Sequence, residues 1–227
     1  MSEEAAVPRV PEGADSAAAL RAQLLATEHW SLLASRSTTQ NEVLTRISIL
    51  LTLSSAALVS VALVGQATKF SGTFAIFANI LLGVLVLVGV LTQVRVVNVS
   101  MEDLMYVLAM NRLRATYGEL APGVESAFMT STNDDYTGSR ETYYFLGRRG
   151  VSQILGSSLI FVVVVNATFV GLLVASLTLT AGAPFVAGVI AGVVIGVVYV
   201  VVSVSIAGRI YFRLWKRYVP SNPTSGV

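Results

Sequence analysis

The order of apolar and charged positions along the chain predicts its main elements. With the exception of Lys69, every charged residue falls into one of three segments, 1–46, 95–149 and 209–227. Between these segments lie two stretches, Ile47 to Val94 and Gly150 to Gly208, that carry no other charge. A bilayer core about 30 Å thick is crossed by roughly 20 apolar residues in a helix, so each stretch is long enough for two spans. The pattern predicts an all-α membrane protein with four transmembrane helices arranged as two hairpins, flanked by cytoplasmic amphipathic helices. Ile47–Thr68 and Phe70–Val94 form the first hairpin, joined at Lys69-Phe70-Ser71-Gly72. Val151–Thr180 and Pro184–Gly208 form the second, joined at Ala181-Gly182-Ala183. Pro184 suits the first position of a helix, where its missing N–H costs nothing.

Charge adds an orientation. Lys and Arg are retained on the cytoplasmic side of short loops, and fourteen of the fifteen basic residues lie in the three charged segments. An even number of spans also places both termini and the central segment on one side. The expected location is the bacterial inner membrane, crossed several times, with N- and C-termini in the cytoplasm and the opposite face reduced to two tight turns. The bacterial assignment rests on abundant Ala, Val and Gly and on Arg in place of Lys, the coding bias of a GC-rich genome. Met1–Ala19 is acidic and lacks the basic flank and early apolar core of a cleaved signal peptide, so the first span is expected to remain in the mature protein.

The wet segments divide further. Residues 1–15 read as a disordered tail, with Pro8, Pro11 and Gly13 among Glu and Ala. In 16–46, Leu20, Leu24, Trp30 and Leu33 recur at near-helical spacing and predict an amphipathic helix leading into the hairpin at 47–94. In the cytoplasmic segment 95–150, Ser100-Met101-Glu102-Asp103 reads as a helix N-cap, or else the second span continues through it to about Glu119. Ala121-Pro122-Gly123 then breaks the helix, and a shorter one around Arg140–Arg149 leads to the hairpin at 151–208. In 209–227, Arg209, Arg213, Lys216 and Arg217 fall on one side of a continuing helix, with Tyr211, Trp215 and Tyr218 on another and Pro220 as the stop. This tail reads as an interfacial anchor, its cations facing anionic lipid headgroups and its aromatic rings at headgroup level.

Within the spans, Gly188, Gly192 and Gly196 form a G-x-x-x-G-x-x-x-G ridge that lets a second helix backbone approach closely, in the same chain or in a neighbouring copy. A softer ridge of Ala75, Asn79 and Gly83 runs down the second span. Asn79 and Asn166 are the most polar residues deep in the spans, and in hydrocarbon each needs a partner on another helix. The spans hold no Asp, Glu or His, which argues against a proton-coupled or ion-coupled transporter.

The wet side shows no catalytic constellation. Asn133-Asp134-Asp135 lacks the ligand spacing of a calcium loop and reads as a solvated turn. The single His29 reads as a surface helix residue without a second metal ligand, and zero Cys removes disulfides, thiolate metal sites and cysteine nucleophiles. Arg112 and Arg114, with Arg148 and Arg149, could meet a nucleotide, though Glu102, Asp103, Glu119 and Glu141 offer them ion pairs. No catalytic residue, metal site or cofactor is expected.

The amphipathic helix around Trp30, Arg36 and Asn41, running into a tight two-span hairpin and then a cytoplasmic helix, resembles small bacterial membrane proteins of the SLATT type over residues 16–119. That resemblance implies a membrane effector, a pore that responds to a nucleotide signal; the second hairpin departs from the layout. The rest of the chain resembles multi-pass bacterial membrane proteins of uncharacterised activity. Two functions follow as expectations. One is a self-associating, noncatalytic membrane organiser or sensor with its working surface in the cytoplasm, and the other is an oligomeric pore. The expected partners are the bilayer and its anionic headgroups, a second copy of the chain, and a cytoplasmic protein or nucleotide; nucleic acid is not among them.

Overall fold

The computed structural model describes residues 12–147 and 151–224. Regular structure among them is entirely helical. Helix α1 spans Glu12–Ala67, α2 Gly72–Leu120, α3 Tyr136–Tyr143, α4 Val151–Leu155, α5 Ser158–Thr180 and α6 Phe185–Arg217, with one 3₁₀ turn at Val124–Ala127. Four of these, α1, α2, α5 and α6, are long and apolar enough to cross a membrane. The chain is an all-α protein with the spans of a multi-pass membrane protein.

The length of α1 follows from its sequence, since neither Pro nor Gly interrupts residues 14–64. Its end is built by an aromatic lid. The Phe70 N–H donates to Gly65 O at 3.0 Å, while Lys69 and Phe70 take left-handed backbone angles, φ 49° and 56°. A Cβ on Gly65 would lie 2.6 Å from the Phe70 ring, so the glycine is what lets that ring close over the last turn. The expected tail 1–15 falls outside the described residues up to position 11, and from Glu12 the chain is already helical.

Two sequence expectations are corrected and one alternative is decided. Of the two readings at Ser100, the continuing span holds: α2 passes through to Leu120 without interruption, and the Ser100 hydroxyl donates to Val96 O at 2.8 Å within the same helix. The helix expected around Arg140–Arg149 starts earlier, because Asp135 supplies the N-cap by accepting the Gly138 N–H, and it ends at Tyr143; Arg148 and Arg149 lie outside the described residues. The third span begins at Ser158 instead of Val151, since Ser157 accepts the Ile160 N–H and so starts a new helix after the short α4.

The described residues group into two compact units, 12–37, 104–147 and 219–224 forming one and 38–103 with 151–218 the other. The second holds the apolar spans. Its core is Val43, Ile47, Leu50, Val96, Val99 and Val162, all under 9% exposed, with Val88, Leu159, Val165 and Phe169 packed around it. Its outer surface carries Leu58, Leu63, Ile80, Leu87, Val193 and Val197 at about three-fifths exposure, apolar side chains that water would penalise and lipid tails do not. The first unit buries Leu104, Val107, Leu108 and Met110 beside polar Asn111, Asp134 and Ser139.

The glycine ridge packs inside the chain. A Cβ on Gly192 would meet Gly171 O at 2.5 Å and Ala175 Cβ at 3.0 Å. One on Gly196 would meet Ala167 O at 3.1 Å, and one on Gly188 would meet Leu179 at 2.9 Å. The partners descend α5 as the glycines ascend α6, the register of an antiparallel pair at backbone-to-backbone distance. Gly83, on the softer ridge, has nothing within 4 Å of its missing Cβ.

Candidate functional site

The densest polar structure lies in the first unit, around the segment expected to be a solvated turn. Asp134 is fully buried. Its Oδ1 accepts the Asn222 N–H at 2.7 Å and its Oδ2 the Ser221 N–H at 2.9 Å, and Arg112 donates to Oδ2 through Nε. The Asp134 N–H donates in return to Asn222 O, and the Asn222 carboxamide donates to Thr132 O at 3.2 Å and Asn133 Oδ1 at 3.3 Å. Asp135 adds a second clasp. One of its oxygens caps α3 through Gly138 N and accepts the Thr224 hydroxyl, and the other accepts the Thr224 N–H at 2.8 Å. Residues 221–224 are thus held by two adjacent carboxylates. A charged group with no solvent must be paired and hydrogen-bonded, and the Ser221 and Asn222 amides with Arg112 do this for Asp134.

The loop is held from beneath by Asn111, fully buried on α2. Its Nδ2 donates to Asn133 O at 2.7 Å, while its Oδ1 accepts from Arg114 Nη1 at 2.7 Å and from the Thr142 hydroxyl at 3.0 Å. Gly138 sits so close that a Cβ would fall 2.1 Å from Asn133 O. Arg112 therefore pairs with Asp134, an acid not among those expected for it, and Arg114 donates to an amide. Glu119 receives Arg21 instead, at 3.3 Å on the surface.

His29 is half-buried, its ring centroid 6.0 Å from that of Tyr117, whose hydroxyl donates to Leu25 O at 3.0 Å. Burial, and then the Arg114 charge, push the His29 pKa below its ordinary 6.5. Burial pushes the Asp135 carboxyl up, but the bonds from Gly138 and Thr224 outweigh it and hold the group below its ordinary 3.8. The signs agree. Each folded pKa lies below the unfolded one, so each contribution is complete above the unfolded value and is lost as pH falls through the folded one. The thermal midpoint in detergent should be level above about pH 6.5 and decline below it, with a further decline below about pH 3.8. His29→Phe should remove the first decline only; a midpoint that rises on acidification would contradict the assignment.

In the second unit two polar clusters stand out. At one, Arg95 forms a two-pronged pair with Glu42, 2.7 and 3.1 Å, and reaches Glu102 at 2.7 Å, while Arg46 adds 2.9 Å to Glu42. Gln40 donates to Asp103 at 2.8 Å beside it. These are partly exposed and geometric more than energetic, since such pairs contribute about 0–1 kcal/mol each. At the other, fully buried Asn166 donates to Gln93 Oε1 at 3.0 Å, which also accepts the Tyr199 hydroxyl at 2.8 Å. The three tie α2, α5 and α6 together. Asn166 Oδ1 has no hydrogen-bond partner and lies 2.0 Å from where a Gly89 Cβ would stand, so Gly89 leaves the space for the amide. Gly89→Ala is expected to displace Asn166 from Gln93 and cost about 1–3 kcal/mol of resistance to unfolding in detergent. Asn166→Leu should cost about 1 kcal/mol; equal stability of both variants and the parent would show that the cluster is incidental.

Asn79 makes only a long contact, 3.4 Å to Thr180 Oγ1, and is not brought together with Asn166. Arg209, Arg213, Lys216 and Arg217 lie exposed on the last turns of α6. Trp215 stacks edge-on with Tyr211 and Tyr218, centroids 6.3 and 5.8 Å apart. They form an aromatic cluster with a cationic margin, not a pocket. Sequence reasoning passed over Gln93, Tyr199, Asn111 and Asn222. Gln93 was visible as a third amide at the edge of an apolar stretch, and Pro220 and Pro223 flank Asn222.

The fold and these clusters define a class: an all-helical protein with four helices of membrane-spanning length and a separate polar unit. No protein-family model matches the chain, and neither a curated protein nor a solved structure matches it.

Proposed function

We propose that this is a noncatalytic organiser or sensor of the bacterial inner membrane, anchored by its four long helices and working through its polar unit on the cytoplasmic side. The observation that carries the reading is the use made of the polar unit's buried groups. A fully buried carboxylate and a fully buried carboxamide are spent on holding a loop and a peptide segment, which is the chemistry of recognition and not of bond-making. Orientation rests on the segregation of basic residues, with Arg209, Arg213, Lys216, Arg217 and Trp215 set against anionic headgroups. Copies that assemble would meet on lipid-facing surfaces other than the glycine ridge, which α5 already fills.

The competing reading is an oligomeric pore. Protein reconstituted in liposomes containing a small fluorescent dye is expected to retain it, and native mass spectrometry in detergent to report self-association. Reproducible dye release or current that Asn166→Leu abolishes would replace this reading with the pore.

A further inference from the structure

The sequence of residues 220–224, Pro-Ser-Asn-Pro-Thr, and the way it is held invite a more specific reading of the polar unit. Pro220 and Pro223 have no N–H to donate. The other three amides of the segment, on Ser221, Asn222 and Thr224, each donate to a carboxylate oxygen of Asp134 or Asp135. Main-chain demand and side-chain supply therefore match in full. Two further bonds read side chains, the Asn222 carboxamide to Thr132 O and Asn133 Oδ1, and the Thr224 hydroxyl to Asp135 Oδ1 adds a third. Prolines on either side restrict the segment before it docks, which lowers the entropy that docking costs. The receiving loop has supports outside the segment: Asn111 on α2 donates to Asn133 O, and Gly138, lacking a Cβ, lets that carbonyl approach α3 closely. A loop that satisfies all the main-chain donors of a short, proline-bounded segment has the properties of a peptide receptor.

We propose that the Asp134–Asp135 loop is a peptide-docking cradle for short segments of the form Pro-Ser-Asn-Pro-Thr, and that the chain's own residues 220–224 are its resident, self-masking ligand. The site deepens the recognition role proposed above and gives it a ligand class. A competing segment of the same pattern, from another protein or a second copy, gains access only by displacing the resident one. That displacement works against the high local concentration that covalent attachment gives the tail.

The test uses the full chain in detergent, so it is independent of orientation in the membrane and its failure leaves the topology untouched. A fluorescent peptide of residues 219–224 is titrated against the unmodified chain and against Asn222→Pro, which removes one main-chain donor and both carboxamide bonds of the resident segment. The Asn222→Pro chain is expected to bind the peptide at least about tenfold more tightly than the unmodified chain, and to ignore a peptide that itself carries Asn222→Pro. No saturable binding, equal binding by the two chains, or equal binding of the two peptides would overturn the proposal. A second measurement needs no variant. Peptide at about millimolar concentration should accelerate hydrogen exchange at the Ser221, Asn222 and Thr224 amides of the unmodified chain, and unchanged exchange there would equally overturn it.

Discussion

Replacing Gly192 by isoleucine is expected to unfold the α5–α6 pair in detergent well below the parent's thermal midpoint. The glycine stands where the two backbones meet, and a Cβ there would lie 2.5 Å from Gly171 O, a backbone atom with no rotamer by which to retreat. Helices in lipid associate through close packing, without a hydrophobic driving force between them, so distance lost here is not recovered elsewhere. Overpacking of this kind costs about 1–3 kcal/mol even where side chains can shift, and the backbone contact places Gly192→Ile at or above the upper end. Gly192→Ala should show a smaller effect of the same sign. Gly208→Ala, where nothing lies within 4 Å of the added methyl, should be neutral or slightly stabilising through helix propensity. If the Gly192 variant instead kept its midpoint and lost only its assembled mass, the ridge would be a contact between copies.

The second large effect is expected at Asp134. Asp134→Ala leaves the Ser221 and Asn222 amides without acceptors and removes the fully buried carboxylate from Arg112, whose own side chain is partly exposed. Leaving hydrogen-bond donors without their acceptor costs about 1–3 kcal/mol, while Arg112 can turn to water, and the change should be confined to the polar unit. Hydrogen exchange at Ser221, Asn222 and Thr224 should accelerate by about one to two orders of magnitude, while amides in the Gly192 region of α6 keep their protection. Uniform acceleration across both regions would mean that the two units unfold as one. The more conservative Asp134→Asn retains the shape and one acceptor oxygen, and should lie between the alanine variant and the parent.

The spans were legible because their signal is long and redundant: dozens of consecutive apolar residues admit only one kind of secondary structure in lipid. The turn at Lys69 and the stop near Leu120 were legible for the opposite reason, as isolated interruptions in such runs. At Ser100 the sequence left a cap and a continuing span open, and the second holds because a serine near acids is a cap only if the preceding residues leave the helix, which Val96–Val99 give no reason for. Asp134 was misread more deeply. Its neighbours in sequence, Asn133 and Asp135, describe a surface turn, and what buries it is Asn222, 88 positions further on. Local pattern carries no trace of such a partner. Gln93 was hidden for a related reason, since an amide at the edge of a span suits the interface until Asn166 and Tyr199 are found beside it. The glycine ridge was visible in sequence, but whether it met its own chain or another required the register of α5.

Because the chain contains no cysteine, its topology can be read with single substitutions and a membrane-impermeant maleimide. Ser126→Cys lies exposed on the 3₁₀ turn of the polar unit, and Ser71→Cys lies exposed at the turn between α1 and α2. In intact cells permeabilised only at the outer membrane, Ser71→Cys should label and Ser126→Cys should not; in inverted inner-membrane vesicles the pattern should reverse. Labelling of Ser126→Cys from outside, or of both positions from the same side, would contradict an even-span protein whose polar unit faces the cytoplasm.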